Sequence, residues 1–545
     1  MNLLHDPWMP VRDESGARHW ITPEQLSDPR WRAFDADRPD FNGALAQFAI
    51  GLLQTTTPVD NPVEWRRCLS ISPASDALRE WFAPVTDAFD FDGDGARFMQ
   101  DIDLGSEGVV VNDVDALLID SPGEQALKNN TDHFVKRSQI KAMCPACTAT
   151  ALFTLQLNAP AGGAGHRTGL RGGGPLTTLV LAPEPANLWK HLWMNVTLRS
   201  DFVSQGGDKV LDDPQRSFPW LGPISKLQAP GSSSQIAQSQ VHPAHRYWAM
   251  PRRIRIEAAQ RVRGTCDVCG RDNQALFGRY GTKNYGLNYK GEWSFPLSPY
   301  YQTKEGWLCV HPQPGGIGYR HWVAWVLGAA TDKQSVRVAR VVQRVLSLPP
   351  QTVQGPLRLR AFGYDMDNMK ARCWYEATLP LYHLSDCSSD VRQALQAEVG
   401  RWLSAADLAA NYLRGAVKDA WFDSDARGDF SHIDAAFWSA TESIFYRQLR
   451  ALIEMARQGI EPPPLPARES WHRVIAASAL NLFDERFVGA GPVEQQNPRR
   501  AALARRQVLR NLYGPKIRDT LGLSVNESAS KSRLKSAKRR TKESA

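Results

Sequence analysis

Two patterns of hydrophobic spacing divide the chain near residue 385. Before it, short apolar runs alternate with Gly, Pro and Asn/Asp breaks. LTTLVLAP at 176–183 and PLRLRAFGYD at 356–365 predict strands, while HWVAWVLGA at 321–329 fits strand or helix. Helical spacing is confined to 41–54 and to about 148–157. After residue 385 the apolar positions recur at helical intervals over about 390–422, 431–458 and 469–488. A fourth helix is expected after Asn497-Pro498, an N-cap followed by proline at the first helical position. Gly459 and the prolines behind it end the second helix. The fold class is therefore α+β: a large irregular mixed domain over 1–384, a C-terminal four-helix bundle over 385–523, and a basic disordered tail over 524–545.

The 545 residues carry a net charge of +8, which leans toward a polyanionic partner. The charge is uneven: seven basic and two acidic side chains lie in the tail, leaving +3 for the other 523 residues. A nucleic-acid surface before the tail must therefore be a local patch. The N-terminal residues lack the basic and apolar regions of a signal peptide, and no apolar run reaches membrane-spanning length. With eight scattered Cys, this points to a reducing cytoplasm and no membrane partner.

The sharpest local chemistry is a pair of CxxC motifs, Cys144-Pro-Ala-Cys147 and Cys266-Asp-Val-Cys269. Four thiolates suit a closed, structural Zn2+ site, and such a zinc-knuckle element would pin two distant loops together. A redox dithiol and chance spacing are the other readings. A glycine-rich segment spans 159–174. It lacks the spacing of a phosphate-binding P-loop or a dinucleotide fingerprint; its glycines fit a flexible surface loop, and they also permit close backbone approach to a ligand. Arg167 and Arg171 add charge suited to phosphate. Thr282–Lys290 interleaves basic, amide and aromatic groups, as nucleic-acid contacts do and as ordinary hairpins also do. Asp90, Asp92, Asp94 and Asp101 match part of a calcium loop, but Arg97 breaks the pattern, leaving a solvated acidic turn. His242 and His245 read as a satisfied surface pair. No hydrolase or nucleotide-binding motif is present, so the chain is expected not to be an enzyme.

Taken in order, these features resemble the large subunit (CasA family) of the type I-E CRISPR Cascade complex. The resemblance runs through Asn2-Leu-Leu, Trp8-Met-Pro-Val11, Arg97-Phe-Met-Gln100, both CxxC motifs, the glycine segment and Phe362–Asn368. It implies a subunit that reads the protospacer-adjacent motif in double-stranded target DNA, while guide RNA pairing reads the rest. Its further partners would be the small, guide-end-capping and backbone subunits and a helicase-nuclease effector. Gly162, Gly163 and Gly165 match the family's glycine loop. Lys283 is the nearest match to its groove-reading lysine, and ungapped spacing offers Asn284. Asp367, Asn368 and Met369 match a wedge that splits the first base pairs. His133, Phe134 and Lys136 match a loop docking on the guide RNA and a neighbouring subunit. Arg499, Arg500, Arg505, Arg506 and Arg510 fit a DNA-facing stripe on the fourth helix, or a solvated face. Two readings outside this family remain: a zinc-stabilised nuclease and a scaffold that binds proteins only.

Overall fold

The computed structural model describes residues 1–123, 139–163, 165–205, 213–229, 233–257, 262–330, 335–367, 370–422, 427–459, 465–492 and 497–523. The chain divides into two compact units. One comprises Met1–Ile317 and Ala324–Ser385, and the other Gly318–Val323 and Asp386–Ala545.

The first unit is mixed α and β. Its helix Pro39–Thr56 begins with proline at the first helical position and carries apolar residues on every side, with Asp40, Gln47 and Gln54 buried among them. A helix of that kind must be buried all round, and Phe41, Leu45, Phe48, Ile50, Leu52 and Leu53 are almost fully so. Phe48 is the hub. The rings of Trp8, Phe89, Phe98, Phe153 and Trp248 meet it edge-on at centroid distances of 5.0–5.8 Å, the geometry that ring quadrupoles favour. The second apolar helical segment forms Pro145–Asn158.

Among the described residues the strands form small separate sheets of two to four strands. In one, Arg279–Lys283 lies between Val110–Asp113 and Arg253–Ile256, antiparallel to both. In another, Leu357–Asp367 lies between Thr177–Leu181 and Lys370–Leu381. The strands Val262–Thr265 and Asp272–Leu276 pair alone. The ambiguous 321–329 stretch holds a π-helical turn, Val323–Leu327. Residues 213–240, rich in Ser, Gln and Pro, form, where described, a chain of short 3-10 turns, Pro214–Arg216, Pro219–Leu221, Ile224–Lys226 and Gln238–Gln240.

The second unit is a C-terminal helical region. Its long helices are Ser389–Trp421, Ser431–Arg457, Leu465–Asn481 and Pro498–Leu512, with a short fifth, Pro515–Thr520. Their ends follow local chemistry. The Asn497 side chain accepts the Arg500 amide at 3.1 Å, and Gly459 turns left-handed at φ +72° behind the second helix. The first helix packs against the second, third and fourth. At its centre Glu398, 1% exposed, accepts both ends of the Arg468 guanidinium (2.9 and 2.8 Å), Arg401 (2.8 Å) and the Trp402 indole (2.9 Å). Trp402 and Trp471 stack beside this network at 6.0 Å. Among the described residues, no helix is long and apolar enough to cross a membrane.

Removing one partner of a buried charge network leaves the others uncompensated. Glu398→Ala is therefore expected to lower stability by about 3 kcal/mol, read as a shift in the urea midpoint. Glu398→Gln, which keeps part of the hydrogen bonding, should lose less.

Candidate metal centre and nucleic-acid interface

The two CxxC motifs lie at different kinds of turn. Cys144 is the N-cap of the helix Pro145–Asn158, and its sulfur accepts the Cys147 amide at 3.5 Å. Cys266 and Cys269 sit in the turn between Val262–Thr265 and Asp272–Leu276. Gly270, at φ +70°, donates its amide to the Cys266 carbonyl at 2.9 Å and closes that turn. The backbone then ties one motif to the other. Met143 and Phe277 exchange two amide hydrogen bonds (3.0 and 2.8 Å), and the Asp267 carboxylate accepts the amides of Lys141 and Ala142 (2.7 and 2.9 Å).

All four sulfurs consequently lie within 4.8 Å of one another, with Cys144 and Cys269 3.8 Å apart. Four thiolates bound tetrahedrally at about 2.3 Å would sit about 3.8 Å from each other. Hydrogen bonding with Cys144 holds Cys266 and Cys269 below the usual thiol range and Cys147 above it, and Cys144 is also raised, so four thiolates this close need a cation among them to stay deprotonated together. The quartet is mostly buried and is placed to hold a metal ion.

The segments downstream of the two motifs converge on one place. The helix after Cys147 runs into the glycine segment. The strand after Cys269 leads through Arg279–Lys283 to Asn284 and Tyr285. The Gly165 carbonyl accepts the Tyr285 amide at 2.9 Å. Gly165 is left-handed at φ +87°, and a Cβ there would stand 2.5 Å from that of Asn284, so no other residue allows this approach. The Gly163 carbonyl accepts the His166 amide at 3.1 Å, and the space beside the Gly163 Cα is open. A Cβ at Gly162 would collide with His166 at 2.5 Å. Lys283 ends its strand opposite Arg253.

At its far end the segment meets the Leu357–Asp367 hairpin. Gly174 leaves the space taken by the Tyr364 Cβ, which an added methyl would meet at 2.7 Å. The hairpin carries a bulge in which Arg372 is the extra residue. Its guanidinium grips the buried Asp365 at 2.7 Å and reaches Asp367 at 3.6 Å. Asp367 pairs with Lys370. The structure thus makes the glycine segment, Lys283-Asn284 and the hairpin strand neighbours. Asn368 and Met369, like His133, Phe134 and Lys136, lie outside the described residues.

Three expectations need correction. Arg171, read as a phosphate contact, is inside the unit at 6% exposure. Its guanidinium donates to Gln47 (2.7 Å), Thr177 (2.9 Å) and Ser298 (2.9 Å) and stacks 4.0 Å from the Phe295 centroid. Its donors are spent on the core, so it does not face a phosphate. The acidic turn is not simply solvated: Asp101 is fully buried and bound by Arg253 at 2.6 Å. His245 is satisfied, as expected, but buried rather than on the surface. It bonds the Tyr289 hydroxyl at 2.9 Å and the Arg216 carbonyl at 3.0 Å, and burial lowers it to about 4.

On the last long helix, Ala504, Val508 and Leu512 face inward, and Arg499, Arg506 and Arg510 are exposed on the opposite side. Arg500 flanks them and lines a groove with Arg499, Asp419 and Gln507. Arg505 is engaged by Asp484 at 2.7 Å. Arg372 escaped the sequence reading, and Tyr285 enters it only as one aromatic of Thr282–Lys290: neither a bulge nor a left-handed tyrosine has a local signature.

Two substitutions test these assignments. Arg171→Ala would strand three buried acceptors and is expected to lower stability by about 3 kcal/mol, seen as a reduced urea midpoint. Cys144→Ser removes one sulfur ligand. The wild-type protein should carry about one equivalent of metal by elemental analysis, and the variant should lose it and melt earlier.

The family of the CRISPR-associated protein Cse1 matches residues 2–482. The fold is similar to a crystal structure of Thermus thermophilus CasA (TM-score 0.65, 16% identity, covering 96% of this chain and 99% of that one). It is also similar to Thermobifida fusca Cse1 (TM-score 0.63, 16% identity, 96% and 99% covered). A chain of a CRISPR RNA-guided surveillance complex matches as well (TM-score 0.64, 16% identity, 94% and 99% covered). The family match spans most of the chain and includes both cysteine pairs, the glycine segment and the long hairpin, so this chain belongs to the CRISPR-associated protein Cse1 family.

Proposed function

We propose that the chain is the non-catalytic large subunit of a type I-E CRISPR RNA-guided surveillance complex, acting in the cytoplasm. It reads the motif flanking the target in double-stranded DNA, starts strand opening, and provides the platform for a helicase-nuclease. The observation that carries this reading is the convergence of Gly165 with Lys283-Asn284 at the far ends of the two segments that start at the cysteine quartet. The surveillance-complex chain among the similar structures supports the assembly, with guide RNA and the other subunits as partners.

The minor groove is narrow and presents nearly the same acceptors for different base pairs. A glycine turn can enter it with main chain where bulky side chains cannot. Lys283 or Asn284 alongside supplies a donor to groove acceptors. Tolerant recognition of several motifs follows from that degenerate pattern. The hairpin carries the wedge: Asp367 leads into Asn368 and Met369, and unstacking a base step costs of the order of a few kcal/mol, so the wedge needs a firm base. The Arg372–Asp365 pair provides one. Zn2+ is the ion we assign to the four cysteines, because an all-thiolate closed set suits it and leaves no position for catalysis. The four long C-terminal helices act as a bundle whose outer Arg499, Arg506 and Arg510 hold displaced DNA.

A metal-dependent nuclease needs an ion with an open coordination position. Among the described residues the cysteine quartet is the group of His, Cys, Asp or Glu that could share an ion. A protein-only scaffold predicts that charge reversal at Lys283 leaves DNA affinity unchanged.

The deciding experiment compares duplex binding by the guide-loaded complex with and without this chain, at fixed salt. Motif preference is expected only with the chain present; equal preference without it would overturn the assignment. Asn368→Ala should slow strand opening while leaving initial duplex binding near wild type. Equal loss of both steps would remove the wedge role.

A further inference from the structure

Tyr285 is a non-glycine residue with φ +63°. Such backbone is disfavoured for an aromatic residue and persists only where its surroundings hold it. Here the holder is the glycine turn. The Gly165 carbonyl takes the Tyr285 amide, and Asn284 fills the space beside Gly165. The ring is left 42% exposed at the edge of the convergence. It is not bare: the Arg167 guanidinium carbon lies 5.5 Å from its centroid. Arg167 itself comes from the glycine segment, two residues after Gly165. An aromatic residue fixed in an unusual backbone and an arginine on its face are thus both anchored to one turn.

We propose that Tyr285 is a positioning residue that orients the Arg167 guanidinium, and that the pair grips one phosphate of the duplex beside the glycine turn. The inference rests on the motif-reading assignment above. Arginine's planar fork matches phosphate oxygens, and stacking on a ring restricts the side chain before DNA arrives. Less conformational freedom is then lost on binding. A phosphate contact fixes the register of the duplex but carries no sequence information. The pair therefore adds affinity for every flanking motif alike, and preference stays with the glycine turn and Lys283-Asn284.

The test uses the guide-loaded complex containing the full chain, duplex targets with a panel of flanking motifs, and a salt series. Tyr285→Gly removes the ring and keeps left-handed backbone available. Tyr285→Asn, which also tolerates it, is a second ring-free variant. Both are expected to weaken all targets by about fivefold, leave the ratio between motifs unchanged, and reduce the salt slope by about one. Tyr285→Phe keeps the ring and should bind as wild type. Arg167→Ala should reproduce the loss, and the double variant with Tyr285→Gly should bind no more weakly than Arg167→Ala alone, because the ring acts through the arginine. Wild-type affinity in both ring-free variants, additive losses in the double variant, or a loss confined to one motif would overturn the proposal. A wild-type complex without motif preference would overturn the motif-reading assignment instead, while the affinity and salt results would still decide the clamp.

Discussion

The meeting of four cysteine sulfurs within 4.8 Å is the constraint on which the candidate interface depends. It closes a loop of roughly 120 residues, an ordering step worth roughly 4 kcal/mol of chain entropy. The backbone bonds around Met143, Asp267 and Phe277 share that cost. What is gained is registration. One cysteine pair launches the helix that leads to the glycine segment, and the other launches the strands that lead to Lys283. Fixing the two origins lets their far ends meet at Gly165 and Asn284 with no room for even a methyl group.

The charge distribution fits this local arrangement. A chain that is almost neutral before its tail cannot attract DNA by net charge alone. Two sets of its arginines contrast. Arg171 and Arg246 are buried and serve the core, where burial holds both guanidinium groups below their ordinary pKa. Arg167 sits at the rim of the glycine turn, and Arg499, Arg506 and Arg510 lie along one outer helix face. The second group is small and placed, which suits contacts that orient a duplex rather than a diffuse polycationic surface.

Much of this was legible in the sequence. The helix at 41–54, the strand at 356–365 and the helix start at Asn497-Pro498 obey local rules, so spacing and caps predict them. The CxxC pairs announce their chemistry because thiols at that spacing have few uses. Arg171 looks like a surface cation in the sequence because two of its acceptors, Gln47 and Ser298, lie 124 and 127 residues away in the chain. Nothing local separates a core guanidinium from a surface one. The 321–329 stretch was ambiguous because a short apolar run satisfies strand and helix equally. The left-handed Tyr285 and the Arg372 bulge depend on tertiary partners, Gly165 and Asp365, that no local pattern reveals.

The central claim is that the cysteine quartet holds the glycine turn where the flanking motif lies. A photoreactive residue at position 163, in the guide-loaded complex on a matched duplex, tests it most directly. Crosslinks are expected within the motif base pairs, and they should be lost when Cys266→Ser opens the quartet. Crosslinks that fall elsewhere on the DNA, or that persist unchanged in the cysteine variant, would contradict it.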